Sequence, residues 1–241
     1  MKGVSMNSTG FTYRIYPLGD AALTVDFGNK INETINREVI ARFNQLRKEP
    51  FPGMIEALPA YSSYTVYYDI LTVKLSDPSI SAFESVKKQV EKRLALAVTY
   101  DESSGRLMRI PVCYEHEYAP DIHYLAAEKN IQVEEVIRLH TSKNYKVYML
   151  GFLPGFSYMG EVDDRIAMPR KPQPQAVAAG GVGIAGKQTG IYPLASPGGW
   201  QIIGQTPLKL FTVNNEEDPA MLRAGDSVQF FSISKNEFEN Y

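Results

Sequence analysis

The sequence of 241 residues holds a single cysteine, Cys113, and a single tryptophan, Trp200. A lone thiol excludes an internal disulfide framework and suits a reducing compartment. In its apolar segment after Pro111 it reads as a buried, inert group. Histidine is scarce as well: His116, His123 and His140 are the full set, and none falls in an H-E-x-x-H or Cys/His metal spacing. Neither sign of charge is in excess, with 25 Lys and Arg against 27 Asp and Glu and a formal net charge of -2. The broad basic footprint of a nucleic-acid binder is therefore missing. No run approaches the ~18 apolar residues of a membrane span, and the opening "MKGVSMNSTG" lacks the apolar segment of a secretory signal. These absences predict a cytoplasmic protein that uses neither membrane nor nucleic acid. A G-x-S-x-G nucleophile elbow is also lacking.

What is present is a globular composition, 44% hydrophobic with 15 tyrosines, long enough for two domains of roughly 100 residues each. "FTYRIYP" and "AALTVDFG" alternate as strands joined through Gly19 and Asp20, a predicted hairpin. Ile31, Ile35, Val39, Phe43 and Leu46 keep a helical period that "EPFPG" stops. "MIEALPA" and "YSSYTVYYDI" are two more strands. A helix is expected to open at Asp77 as N-cap with Pro78 at its first position, burying Phe83, Val86, Val90 and Leu94. This order predicts a small α/β domain over residues 1–100 in a split β-α-β arrangement. The polar stretch "YDESSGR" from Tyr100 to Arg106 reads as the linker, and residues 106–241 as the second domain. There, "LMRIPVCY" reads as a strand, and "PDIHYLAAEKN" and "QVEEVIRLHT" as two short helices. Beyond Lys143, short apolar runs recur between Gly and Pro, the texture of a closed β-barrel. The fold class is α+β.

The stretch "GGVGIAGKQTG" places Gly181, Gly186 and Lys187 at the spacing of a phosphate-binding P-loop. Gln188 stands where a hydroxyl is required, and Pro193 and Pro197 follow where a helix must start, so the context fails. A glycine-dense hairpin carrying Lys187, Gln188 and Thr189 remains. "MLGFLPGFSYMG" combines glycines and Pro154 with Phe152, Phe156 and Tyr158. Its rings either pack at the barrel mouth or line a site where a ligand approaches backbone. "TGIYPLASPGGWQIIG" adds Tyr192, Ser196, Gly198, Gly199 and Trp200. Arg170 and Lys171 meet a carboxylate or phosphate, or are solvated surface charge. His116 reads as a solvated loop residue, and Asp163 with Asp164 as a solvated turn. For His140 two readings stand: a helix-end residue favoured by the dipole, or a donor or acid/base group aimed into a pocket.

The motifs "YMLGFLPGFSYMG", "PRKPQP", "VGIAGKQTGIYPLASPGGWQIIGQTPLKLF" and "LRAGDSVQF", with "YPLGDAALTVDFG" near the front, resemble the allophanate hydrolase subunit 1 family. It is also called the kinase inhibitor family, or the family of 5-oxoprolinase B subunits. The resemblance covers nearly the whole chain. It implies that the C-terminal barrel is cyclophilin-like, without implying prolyl isomerase activity. It further implies a hydrolase component that opens 5-oxo-L-proline to L-glutamate with ATP, alongside the A and C subunits of 5-oxoprolinase, the latter being the kinase inhibitor antagonist. A second implied activity is inhibition of a sporulation sensor histidine kinase through a surface of the barrel. Alternatives are a dedicated kinase inhibitor with no catalytic role, or a component that binds urea- or allophanate-type amides. Against the lactam chemistry, Lys187, His140 and Arg170 are the candidate catalytic residues. Phe152, Pro154, Gly155, Phe156, Gln188, Thr189, Tyr192, Ser196, Gly198, Gly199 and Trp200 are the candidate substrate-binding set. No metal ligands are expected, and the ATP belongs to the complex rather than to a recognisable site on this chain.

Overall fold

The computed structural model of the chain describes residues 5–100, 105–214 and 219–241. Asp101 to Ser104 of the expected linker lie outside the described residues. The chain divides into two compact units, residues 1–102 and 103–241.

The first unit contains β1 (Ser5–Met6), β2 (Thr12–Pro17), β3 (Ala22–Asp26), α1 (Glu33–Lys48), β4 (Met54–Pro59), β5 (Ser63–Tyr68), α2 (Ile70–Ser76) and α3 (Ala82–Leu94). Its sheet runs β1-β2-β3-β5-β4, and every neighbouring pair is antiparallel. Strands β3 and β4, joined through α1, thus point the same way with β5 inserted between them, a split β-α-β unit. Val39 and Leu46 of α1 and Val86, Val90 and Leu94 of α3 share one core with Leu23, Val25, Tyr64 and Val66. Within α1 the buried Glu38 and Arg42 form an ion pair at 2.8 Å. Arg42 also donates to the carbonyls of Arg93 and Leu96, each at 2.9 Å, which ties α1 to the end of α3. Buried charges persist there because each has partners.

The helix expected from Asp77 starts later. Ser81 is the N-cap of α3 and accepts from the Glu84 N–H, whereas Asp77 closes the short helix α2. The Asp77 carboxylate bonds the Ser79 backbone and hydroxyl in a local turn, so it has no reach to a later helix end. The strand expected over "YSSYTVYYDI" ends at Tyr68, and Ile70 opens helix α2 instead. Asp69 starts it by accepting from the Thr72 N–H at 2.7 Å.

The second unit contains β6 (Leu107–Cys113), α4 (Ile122–Lys129), α5 (Val133–Thr141), β7 (Asn144–Leu150), β8 (Ser157–Gly160), β9 (Gln175–Val177), β10 (Gly181–Ala185), β11 (Gln188–Ile191), β12 (Ser196–Gly198), β13 (Gln201–Gln205), β14 (Ser227–Ile233) and α6 (Lys235–Glu239). Seven strands close into a barrel in the order β10-β11-β8-β7-β14-β6-β13, with β13 returning to β10. Closure leaves the barrel no open edge. It depends on β6 and β14, distant in the chain, pairing in parallel from Leu107 with Ser227 to Cys113 with Ile233. Ile122 and Leu125 of α4 and Val136 and Leu139 of α5 pack into the same core as Val112, Val147, Ile184 and Phe230. Strands β9 and β12 form a separate two-stranded ribbon. Among the described residues no helix is long and apolar enough to cross a membrane.

Candidate functional site

The glycine-dense stretch folds as the hairpin of β10 and β11. Ala185 is opposite Gln188, so Gly186 and Lys187 form a two-residue turn, with Gly186 at φ 60°. A glycine in that conformation is what a tight hairpin turn needs at its first position. A strand follows Lys187, and no helix N-terminus is present to receive a phosphate. Lys187 lies on the turn with its Nζ 2.7 Å from Asp164 Oδ1, both side chains largely exposed. The hydrogen bond and charge of Asp164 push the lysine pKa up. Neighbouring Asp163 is gripped by Arg165 at 3.0 Å through both carboxylate oxygens. These bonds hold its carboxyl down, to about 2. The acidic pair is thus a salt-bridged turn.

Alternation along β11 sends Thr189 and Gly190 to opposite faces. Thr189 points into the barrel, where its Oγ1 donates to the Gly183 carbonyl at 3.0 Å and lies 3.0 Å from His140 Nε2. His140 Nδ1 is 2.8 Å from the Tyr114 hydroxyl. Because the single Thr189 hydroxyl proton goes to Gly183, the imidazole must carry its proton on Nε2, and Tyr114 donates to Nδ1. The imidazole is fully buried and stacks on Phe230 at 4.5 Å. Burial pushes its pKa down to about 3, so the ring is neutral near pH 7. His140 does lie in the last turn of α5, but as a fully buried, neutral ring it carries no charge for the dipole to favour and has no face open to solvent; it anchors β11 to α5 from inside the core.

The outer face of the same hairpin is bare backbone. Gly183 and Gly190 are cross-strand partners. A Cβ on Gly190 would come within 3.0 Å of the Trp200 ring and 3.1 Å of the Phe156 ring, and one on Gly183 within 3.0 Å of Trp200 Cβ. Phe156 is the hub of an edge-on cluster, with ring centres 4.7 Å from Tyr158, 5.0 Å from Tyr192 and 5.4 Å from Trp200. Such tilted contacts bring positive ring edges onto negative ring faces. Tyr192 packs on Gly198, where a Cβ would meet its hydroxyl at 2.3 Å. Phe152 stands outside this cluster, 62% exposed and edge-on to Phe156 at 5.6 Å and Tyr192 at 6.3 Å. Its φ of 69° is left-handed, a conformation that costs a non-glycine residue about 1–3 kcal/mol. The turn that imposes it is closed by Leu153 N–H to Gly151 O and Phe156 N–H to Leu153 O, each 2.9 Å, and by Gly155 at φ 81°. Pro154 is exposed at the tip of that turn.

The two neighbouring cations have different settings. Lys171 Nζ is 2.5 Å from Asp121 Oδ2 and 2.8 Å from Gln175 Oε1. The same Asp121 oxygen accepts from the Ile202 N–H at 2.6 Å, while the Lys171 N–H donates to Gly199 O at 2.7 Å. Lys171 therefore clamps the segment that carries Trp200. Arg170 is exposed and makes no ion pair or hydrogen bond among the described residues. Burial raises the pKa of Tyr158 and Tyr192, and the Arg170 charge works against that rise at both. A backbone hydrogen bond from Trp200 to Tyr192 acts the same way.

Of the residues singled out in the sequence, Phe152, Gly155, Phe156, Tyr192, Gly198, Gly199, Trp200 and Arg170 come together on or beside this outer face. Tyr158 joins them; its placement two residues after Phe156 on alternating chain is the signal for it. Thr189 and His140 lie in the barrel interior, and Lys187 lies on the hairpin turn with Asp164. Gln188 is half-buried opposite Gly160, and Ser196 Oγ bonds the adjacent Pro197 carbonyl at 3.3 Å. Among the described residues no group of three or more His, Cys, Asp or Glu side chains is placed to hold a metal ion.

Residues 13–222 match the family described as carboxyltransferase domain, subdomain C and D. Over 232 residues the chain is 48% identical to the B subunit of 5-oxoprolinase from Bacillus subtilis (strain 168), covering 95% of this chain and 96% of that protein. It is 37% identical over 221 residues to the B subunit of 5-oxoprolinase from Escherichia coli O157:H7, with 90% and 94% covered. The crystal structure of TTHA0988 superposes with a TM-score of 0.75 at 32% identity over 88% of this chain, which spans 40% of that longer one. On the extent of the family match and these identities, the chain belongs to the family of 5-oxoprolinase B subunits.

Proposed function

We propose that the chain is the B subunit of an ATP-dependent 5-oxoprolinase, active only with its A and C partner subunits and converting 5-oxo-L-proline to L-glutamate in the cytoplasm. The observation that carries this reading is that the Arg170 charge acts on Tyr158 and Tyr192, with Phe152 standing exposed against Tyr192. The substrate is a five-membered lactam bearing a carboxylate. Arg170 suits the carboxylate, and the exposed Phe152 suits the ring. An unstrained amide oxygen is a poor leaving group. Transfer of the ATP γ-phosphoryl group to it creates an electrophilic carbon; one water adds there and the C–N bond breaks with the nitrogen leaving as the amine, and a second water hydrolyses the resulting acyl phosphate to glutamate and phosphate.

The nucleotide is assigned to the complex, since the strand-turn-strand at Lys187 offers no phosphate-binding helix end. Lys187, on its exposed turn, is assigned to the phosphorylated intermediate or to a partner in the complex. His140 and Thr189 are assigned a positioning role, holding β11 from inside the barrel. The barrel is read as cyclophilin-like, with no isomerase activity attached. The test is ATP-dependent glutamate release from 5-oxoproline by the three subunits together, compared with the mixture lacking this chain. Equal rates with and without it would reject the reading, as would turnover of an allophanate-type amide in place of the lactam.

A second reading, docking to a sensor histidine kinase to stop its autophosphorylation, is favoured by the exposure of Phe152 and Leu194 on the barrel unit. Solvent-facing apolar side chains of this kind anchor protein partners. Phe152→Asp then abolishes inhibition, whereas full kinase autophosphorylation in the presence of excess wild-type chain rejects the docking role.

A further inference from the structure

His116 and His123 are separated by Pro120 and have no metal-binding spacing in the sequence, yet the fold brings them into ring contact. Their ring centres lie 5.4 Å apart with the planes inclined at 61°. His116 belongs to the turn after β6 that the Tyr118 N–H closes onto Glu115 O at 2.8 Å, and His123 to the first turn of α4. Both side chains are exposed, and neither imidazole makes a hydrogen bond or ion pair among the described residues. Two exposed rings with uncommitted nitrogens on adjoining rigid turns call for a ligand that both can share.

The spacing admits a shared metal ion. With zinc-to-nitrogen bonds of about 2.0–2.1 Å and about 1.1 Å from that nitrogen to the ring centre, each ring centre sits about 3.2 Å from the metal. Two such rings at the tetrahedral angle are about 5.2 Å apart, and at the right angle of an octahedral ion about 4.5 Å. The observed 5.4 Å, in an edge-on contact, is within reach of the tetrahedral separation once the two exposed rings turn a nitrogen toward a common point. The turn is also braced from outside: Glu115 Oε1 accepts from the Lys235 N–H at 2.8 Å, Glu117 Oε2 pairs with Lys235 Nζ at 2.5 Å, and Tyr118 packs on Phe238 at 4.2 Å. That bracing by α6 holds His116 in place before any ion arrives. It also engages one carboxylate oxygen each of Glu115 and Glu117.

We infer that His116 and His123 form a surface site for a divalent metal of tetrahedral preference, zinc or cobalt. A bound ion there joins the turn after β6 to the start of α4. The site is distinct from the aromatic face and is independent of the 5-oxoprolinase reading.

The test uses the full chain without an affinity tag, stripped with chelator, and titrated with Co2+ and Zn2+. The expected result is one equivalent of Co2+ with the intense visible absorption of tetrahedral cobalt, displaced by Zn2+, and a thermal midpoint that rises with added Zn2+. His116→Ala and His123→Ala each weaken binding at least ~tenfold and abolish the midpoint shift. Both variants remove exposed side chains, and their melting curves in chelator should match the wild type. Failure to bind one equivalent, or binding that survives the two substitutions together, overturns the inference.

Discussion

Gly183 and Gly190 face each other across the hairpin of β10 and β11, and Trp200 lies against the backbone that both leave bare. The glycine density of this stretch is thereby explained by packing. Close approach to backbone is required, and the approaching groups are the protein's own aromatic rings. Gly190→Ala places a methyl group 2.8 Å from Ser157 O and 3.0 Å from the Trp200 ring. We expect a loss of about 1–3 kcal/mol, read as a lower denaturant midpoint with reduced near-ultraviolet ellipticity from Trp200. Gly186→Ala, at positive φ but with nothing within 4 Å, should lose only about 1 kcal/mol and leave the Trp200 signal intact. Equal losses at the two positions would contradict this packing account.

The interior histidine makes stability depend on pH. Its folded pKa is depressed to about 3, while an unfolded histidine titrates near ~6.5. Protons therefore bind the unfolded chain first: the contribution is present above about pH 6.5 and is lost as pH falls toward 3. Between pH 7 and pH 5 this one group should remove about 2 kcal/mol, a slope absent from His140→Gln. In nuclear magnetic resonance titrations the His140 ring signals should stay fixed from pH 5 to 8. A His140 titration midpoint near 6 would show that the ring is not buried in the Tyr114 and Thr189 network.

Helix α3 offers a test of where it begins. Removing its N-cap with Ser81→Ala should lower stability by about 1 kcal/mol, because the Glu84 N–H loses the hydroxyl that accepts from it at 3.1 Å. Asp77→Ala disturbs an exposed turn only and should cost less than Ser81→Ala in the same denaturant titration. The reverse order would return the helix start to Asp77.

That case also shows what could be read in advance and what could not. Asp77 with Pro78 and Ser81 with Glu84 are both chemically sound helix starts, and the choice between them is made by Ser79, whose backbone and hydroxyl occupy the Asp77 carboxylate. The barrel was legible because its short apolar runs are cut by Gly and Pro every few residues. Its closure was not, since it rests on β6 pairing with β14 from the far end of the unit. The aromatic members of the site were legible from their density. The roles of the cations were not: Arg170 and Lys171 are adjacent and similar, and only Asp121, remote in sequence, separates the clamped one from the uncommitted one. Strand alternation separates the residues that the hairpin carries, turning Thr189 inward to His140 while Lys187 stays on the exposed turn with Asp164.

Arg170 gives the sharpest functional prediction, because it is exposed and makes no ion pair or hydrogen bond among the described residues. In the reconstituted complex Arg170→Ala should leave assembly and the thermal midpoint unchanged while raising the KM for 5-oxoproline by about tenfold to a hundredfold, the loss of one charge-assisted carboxylate contact. The KM for ATP should not move. The decisive measurement is therefore the rate of ATP-dependent glutamate release against 5-oxoproline concentration, for the wild type and for Arg170→Ala. A selective rise in the 5-oxoproline KM is the predicted result, and superimposable curves would contradict the placement of the substrate on this face.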